Sequence, residues 1–260
     1  MRRSFFALLV VSGLLAQTAK LSVEEIAGKY VEAMGGSAFA GIHSLRIEGR
    51  MRFGLGEFTP FTVVASRPNR FRMELTVGPD HVTQAFDGKT GWQSVAGEHP
   101  QAPTPLTGKS LSHIKDQAAN AIGGPLVDRD RRHNRIELAG RETVYGVDCY
   151  RIKVTLGTGN IMAIFIDSAN YREVQEELVA VVNGKPMTIE QSVSQYRKFG
   201  PILVGCLFVT REKGGEDSQR MEIDNVEINP TLDESLFRFA GGSREIRRAT
   251  PPATSEPPHH

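Results

Sequence analysis

Cysteine, tryptophan and charge of one sign are all scarce in this sequence. Its 260 residues include two cysteines and one tryptophan, and its 31 lysines and arginines are balanced by 30 acidic residues. Cys149 and Cys206 form no C-x-x-C, so neither a redox motif nor a thiolate metal site is indicated. A disulfide between them is possible in an oxidising compartment, but their spacing alone does not establish one. Balanced charge provides no overall field for nucleic acid, so we expect no nucleic-acid partner.

Complete motifs for nucleotide binding or catalysis are also missing. Gly88-Lys89-Thr90 resembles the end of a P-loop, but the motif needs a glycine where this sequence has Thr83. The sequence contains no G-x-S-x-G and no H-E-x-x-H, and its histidines are scattered. Glu176 and Glu177 are neighbours on a predicted strand, so they should face opposite sides and not act as a pair. We therefore expect no nucleotide, metal or cofactor and no enzymatic activity.

The apolar run at residues 5–15 is too short to span a bilayer stably. Arginines at 2–3 precede it and the small residues Ala16 and Ala19 follow it, which predicts a secretory signal peptide over residues 1–19. The arginine pair also resembles a twin-arginine signal, but the very short basic region favours ordinary Sec export. Because no cysteine lies near the cleavage region, we expect a periplasmic protein without a lipid anchor.

Two segments have the pattern of a helix. Ser22 and Glu25 form a capping box, apolar residues follow at helical spacing, and Gly35-Gly36 ends the helix. A second apolar stripe at helical spacing begins at Leu111, after a proline-rich loop, and a charged turn at 128–135 follows it. The sequence therefore predicts an N-terminal helix and a central helix.

Most of the remaining sequence has a period of two. Apolar and polar residues alternate in SLRIEGRMRF (44–53) and RFRMELTV (70–77), and the glycines and Asp87 of AFDGKTGWQ indicate a hairpin turn. About ten or eleven such runs predict a mainly β (α+β) protein. We expect one strongly curved antiparallel sheet, forming an unclosed β-barrel with both helices on its concave face. This single domain should occupy residues 20–240, and the proline-rich tail at 241–260 should be disordered.

A concave apolar face can hold an apolar ligand. Methionine and aromatic side chains adapt to irregular apolar partners, and several occupy alternating strand positions. Alternatively, the same side chains pack against the helices as ordinary core. The candidate cavity residues are Leu45, Ile47, Met51, Phe53, Phe71, Met73, Leu75, Phe86, Trp92 and Met187.

Over residues 22–238 the order of these features resembles the LolA-like family of outer-membrane lipoprotein-sorting proteins. No single phrase is diagnostic, and the resemblance depends on eight of them in order. These are SVEEIAGKYVEAMGG, SLRIEGRM, RPNRFRMEL, FDGKTGWQ, LAGRETVYGVDCYRIKVTL, FIDSANYREVQEE, VSQYRKFGPILVG and EIDNVEINPTLDESLF.

The resemblance implies an unclosed β-barrel that shelters acyl chains, because well-known family members carry the acyl chains of lipoproteins across the periplasm. The implied ligand is a lipid or lipoprotein acyl chain, bound by a monomer without breaking any bond. An alternative is an envelope sensor or scaffold that binds another protein and carries no acyl chain.

Overall fold

A computed structural model describes residues 21–182 and 185–239. The predicted signal peptide (1–19) and the predicted tail (241–260) lie outside the described residues. The helices are α1 (Val23–Met34) and α2 (Gly108–Asn120), and two 3-10 turns occupy Gly36–Gly41 and Glu234–Phe237. The strands are β1 (Ser44–Phe53), β2 (Thr59–Ser66), β3 (Arg70–Val77), β4 (Asp80–Phe86), β5 (Gly91–Ala96), β6 (Gln101–Pro105), β7 (Arg135–Val144), β8 (Val147–Thr155), β9 (Ile161–Asp167), β10 (Glu173–Val182), β11 (Lys185–Ser194), β12 (Arg197–Phe199), β13 (Ile202–Val204), β14 (Leu207–Glu212) and β15 (Asp217–Ile228).

Helix α1 begins and ends where the sequence predicts. The Ser22 side chain accepts a hydrogen bond from the Glu25 backbone N–H, and a Glu25 carboxylate oxygen accepts one from the Ser22 N–H at 2.7 Å. Gly35 ends the helix with a φ of 149°, a conformation that is costly for residues with a Cβ. The buried face of α1 comprises Ile26, Ala27 and Tyr30.

Thirteen of the described strands form one antiparallel sheet in the order β6-β5-β4-β3-β2-β1-β15-β14-β11-β10-β9-β8-β7. From β1 the chain runs outward, strand by strand, to β6 at one edge of the sheet. It then crosses to β7 at the other edge and returns inward to β15, which pairs with β1 at the centre. The two edge strands, β6 and β7, do not pair with each other, so the barrel is unclosed. Strands β12 and β13 form a separate two-stranded ribbon.

The helices cover different parts of the inner sheet face. Helix α1 packs against β8 and β9, where Ile26 meets Ile152 and Ile164. Helix α2 packs against β3 and β4, where Ile114 joins Phe71 and Phe86. Each fully buried side chain of this size contributes roughly 1.5–3 kcal/mol of transfer free energy. The predicted arrangement of both helices on the inner face of an open sheet is confirmed.

The hairpin predicted at AFDGKTGWQ is present between β4 and β5. An Asp87 carboxylate oxygen accepts hydrogen bonds from the backbone N–H groups of Lys89, at 2.8 Å, and Thr90, at 2.7 Å. Gly88 has a φ of 100°, which suits glycine. The apparent P-loop fragment is thus a capped β-turn.

Residues 94–135 differ from the prediction in two ways. The proline-rich stretch is not wholly a loop, because β6 pairs with β5; prolines are tolerated there since β6 is an edge strand. The charged turn is not simply solvated. Arg67 contacts Asp128 at 2.5 Å, and Arg132 donates to the Ile122 carbonyl at 2.8 Å. These contacts attach the segment after α2 to the rest of the fold.

Candidate functional site

A cavity of about 270 Å³ lies between the helices and the inner face of the sheet. Its walls come from α1, the first 3-10 turn, the segment after α2, and strands β1, β10, β11, β13, β14 and β15. The volume is near the lower end of the ~300–1,000 Å³ typical of small-molecule pockets. A space of this size suits one chain or one small amphiphile.

Most of the cavity wall is apolar. Strands β1 and β15 pair so that Ile47 lies opposite Val226, and both side chains line the cavity. Leu45 lies on the same face of β1, two residues from Ile47, as the alternation of a strand requires. The other apolar lining side chains are Met34, Phe39, Ala121, Val193, Ile202, Leu203, Val204, Phe208 and Ile223.

Two carboxyl groups also line the cavity, those of Glu173 and Glu176. Residues three apart on a regular strand face opposite sides. Here the register between β9 and β10 shifts, with Glu173 opposite Ile166 and Gln175 opposite Phe165. Val174 is the extra residue of this β-bulge, so both carboxyl groups point inward.

The two carboxyl groups form a hydrogen-bonded pair. Burial raises the pKa of Glu173 well above its ordinary value, and the charge of Glu176 raises it further. Burial also raises the pKa of Glu176, while its hydrogen bond with Glu173 opposes the rise. Burial therefore favours the protonated, neutral form of both carboxyl groups.

Two tyrosines and an amide complete the polar part of the wall. Tyr30 is buried, and its burial raises the pKa of its hydroxyl, with a further contribution from the charge of Glu173. Burial likewise raises the pKa of Tyr196, whose hydroxyl donates to the Glu173 carbonyl at 2.8 Å. Asn120 is the remaining polar side chain of the lining. Both tyrosines are therefore neutral, and the Tyr196 hydroxyl is a donor beside the carboxyl pair.

No pattern in the sequence predicts this pair directly. The prediction that Glu176 and Glu177 face opposite sides agrees with the structure, because Glu177 lies on the outer face with Lys213 at 2.7 Å and Arg151 at 3.1 Å. The partner of Glu176 is Glu173, three residues away. The stretch SANYRE (168–173), which leads into β10, contains no pattern that predicts a bulge.

Of the ten predicted cavity residues, Leu45 and Ile47 line this cavity. Others belong to the packed core on the same face: Met51 is buried where β1 pairs with Met221 of β15, and Phe71 and Phe86 are buried beneath α2. Met73 and Leu75 pack at the margin of the same clusters. Phe53 is 49% exposed at the end of β1, and Met187 is partly buried near the start of β11.

Trp92 lies on the opposite face of the sheet from Phe86, since it pairs with Ala85 while Phe86 pairs with Gly91. The segment at 233–239 covers it there. The indole N–H donates to the Phe237 carbonyl at 2.9 Å, and the Arg72 guanidinium lies 5.6 Å from the ring centroid. Trp92 therefore does not line the cavity.

Cys149 and Cys206 are free, buried thiols, so the possible disulfide is not formed. They lie in separate apolar clusters, Cys149 beside Phe165 and Cys206 beside Ile202. Burial raises the pKa of the Cys149 thiol to about 11, which makes this thiol unreactive.

Among residues 21–182 and 185–239, no group of three or more His, Cys, Asp or Glu side chains is placed to hold a metal ion. Within the same residues, neither helix has the length and apolar character needed to cross a bilayer.

An unclosed antiparallel sheet with helices on its inner face and an apolar cavity between them defines a class of half-barrel proteins. The chain has the LolA-like fold. It superposes on a LolA superfamily protein from Nitrosomonas europaea with a TM-score of 0.57 at 13% identity, covering 84% of this chain and 98% of that one. A DUF1329 family protein from Desulfovibrio piger gives 0.57 at 11% identity, covering 85% and 99%.

A third structure, described as an outer membrane lipoprotein-sorting protein domain from Vibrio parahaemolyticus, gives a TM-score of 0.53 at 11% identity, covering 82% of this chain and 95% of that one. No family model matches the sequence, and comparison with curated proteins finds no match. The resemblance seen in the sequence is therefore confirmed at the level of the fold.

Proposed function

We propose that this protein is an exported periplasmic carrier that binds an acyl chain of a lipid or lipoprotein in the cavity between α1 and the sheet. The observation that carries the proposal is the apolar wall around about 270 Å³ of space. A structural neighbour described as a lipoprotein-sorting domain has the same fold. Binding is by burial alone and needs no catalytic group, so we propose that the protein is not an enzyme.

Hydrophobic transfer supplies the energy. Each methylene moved from water into an apolar site contributes about 0.8 kcal/mol. Because the cavity is small, it accommodates part of one chain, and the binding energy grows with the number of carbons that fit. Substitutions that reduce the free volume of the cavity should therefore weaken binding in proportion to the number of methylenes they displace.

Val226→Phe tests this proposal, because the added ring enters the cavity opposite Ile47. If the ring displaces roughly three methylenes, binding of a decyl chain should weaken by about 2.4 kcal/mol, or roughly fifty-fold. The measurement is calorimetric titration with decanol, together with mass spectrometry of lipids extracted from the protein purified from periplasm.

Val209→Phe is the matched control, since Val209 lies on β14 beside the cavity residue Phe208 but faces the other side. It should bind as the unmodified protein does. A protein that retains no lipid and binds no decanol would contradict the proposal, as would equal binding by the two variants.

A second candidate, a scaffold that binds a protein partner, is favoured by one surface feature. The tip between β1 and β2 exposes Phe53, Leu55 (99% exposed) and Phe58, and apolar groups exposed together can mark an interaction site. A stoichiometric partner captured from envelope extract by the unmodified protein, but not by Leu55→Asp, would support this function if capture did not depend on acyl chains.

A further inference from the structure

The Glu173–Glu176 pair has no role in sheltering an acyl chain. An apolar chain makes no use of a carboxylate, and burying a charge without a partner is costly. Nevertheless both carboxyl groups line the cavity wall, and Glu173 is 8% exposed. A ligand group that pairs with these carboxyl groups would make their position in the cavity wall favourable.

On the outer face of β10 and β11, other buried carboxylates are paired with basic side chains. Glu177 contacts Lys213 and Arg151, and Glu190 contacts Arg211 at 3.2 Å. Within the described residues, no lysine or arginine nitrogen lies within 4.0 Å of either cavity carboxyl group, and no basic group contributes to their pKa shifts. The pair in the cavity therefore lacks the cation that the outer carboxylates have.

We propose that the cavity selects single-chain amphiphiles with a cationic amine head, an inference that rests on the proposed function. The ammonium group contacts the Glu173–Glu176 pair, and the alkyl chain lies along the wall that contains Ile47 and Val226. The ligand thus supplies the cation that the protein does not.

The surrounding groups suit an ammonium better than other heads. Tyr30 lines the cavity near the pair, and aromatic rings attract desolvated cations. The Tyr196 ring already lies 5.7 Å from the Arg172 guanidinium. A fatty-acid carboxylate would instead place a negative charge beside two carboxyl groups whose ionisation burial already disfavours. A neutral alcohol would fit the apolar wall but would not stabilise an ionised carboxylate.

The arrangement does not suit a metal ion. Two carboxyl groups are present, but no third His, Cys, Asp or Glu joins them among the described residues. Divalent cations such as Ca²⁺ take six to eight oxygen ligands. An organic ammonium needs few contacts, because its chain supplies most of the binding energy.

The test compares decylamine, decanol and decanoate, which share one chain and differ in their heads. Calorimetric titration of the full chain at pH 7.5 should show decylamine binding at least about tenfold tighter than decanoate. In the double variant Glu173→Gln/Glu176→Gln this preference should disappear while decanol binding is retained. Glu227→Gln, which removes an exposed carboxylate on β15, should keep the preference.

The outcomes separate this inference from the proposed function. If decanoate binds as tightly as decylamine, or if the double variant keeps the preference, amine selection is overturned while acyl binding stands. If none of the three ligands binds, both proposals fail. Thermal unfolding of each variant verifies that it is folded.

Discussion

At the scale of single residues, the carboxyl pair exists because β10 contains one extra residue. Without the bulge at Val174, Glu173 would face outward and Glu176 alone would line the cavity. Strand alternation can be inferred from a sequence, and it placed Leu45, Ile47 and Glu177 on the faces they occupy. A bulge reverses that alternation at one point, and nothing in the side chains of residues 173–176 indicates it. The most distinctive part of the site was therefore not predictable.

The pair should make the stability of the fold depend on pH. Because folding raises the pKa of Glu173, the unfolded chain binds fewer protons than the folded chain above the ordinary carboxyl pKa of ~4.3. Stability is therefore lost as pH rises from that value toward the raised pKa, and the loss is constant beyond it. Glu173→Gln removes the contribution of Glu173 to this loss, while the contribution of the buried Glu176 remains.

We expect Glu173→Gln to raise the free energy of unfolding at pH 8 by on the order of 1 kcal/mol and to leave it unchanged at pH 4. Urea unfolding of both proteins at the two pH values measures the difference. Glu227→Gln, which removes an exposed carboxylate, should have the same stability as the unmodified protein at both pH values. A variant less stable than the unmodified protein at pH 8 would mean that the pair stabilises the fold.

At the scale of elements, the helix caps, the β4–β5 hairpin and most strands follow from local sequence. The capping box of α1 and the Asp87 turn depend on residues within four positions of each other, so the sequence alone predicts them. The face on which an element packs depends on distant segments. The sequence predicts that Trp92 lies on the apolar side, as the only tryptophan of the chain and at the start of a return strand. The segment at 233–239 covers it on the other side.

This C-terminal segment should contribute strongly to stability. Phe237 is 1% exposed, and its carbonyl accepts the indole hydrogen bond. Phe237→Ala should lower the free energy of unfolding by about 3–5 kcal/mol and shift the Trp92 emission to longer wavelength. Arg238→Ala, on an exposed side chain of the same segment, should change neither quantity appreciably. Unchanged emission in Phe237→Ala would show that the segment does not cover the indole.

At the scale of the whole molecule, one sheet connects the cavity to both edges of the barrel. The chain returns through β15 to pair with β1, so residues 45 and 228 become neighbours. Periodicity indicated an antiparallel sheet, and the order of phrases indicated the LolA-like arrangement. Neither of these sequence features shows the size of the cavity, because the size depends on how far α1 and the segment after α2 lie from the sheet.

A ligand that fills the cavity should stabilise the entire fold. At a free ligand concentration one hundred times the dissociation constant, binding contributes about 2.7 kcal/mol. For a domain of this size that corresponds to a rise of roughly 5–10 °C in the thermal midpoint. Decanol should produce this rise in the unmodified protein and a much smaller one in Val226→Phe. Equal shifts would place the ligand outside the cavity.

The position of Trp92 also has a spectroscopic consequence. As the only tryptophan in the chain, it dominates the intrinsic fluorescence, yet the sheet separates its indole from the cavity. Emission from this residue reports whether the C-terminal segment is docked and is insensitive to cavity occupancy. A titration followed by intrinsic fluorescence would miss a bound chain, so a binding assay needs calorimetry or a tryptophan introduced on the inner face.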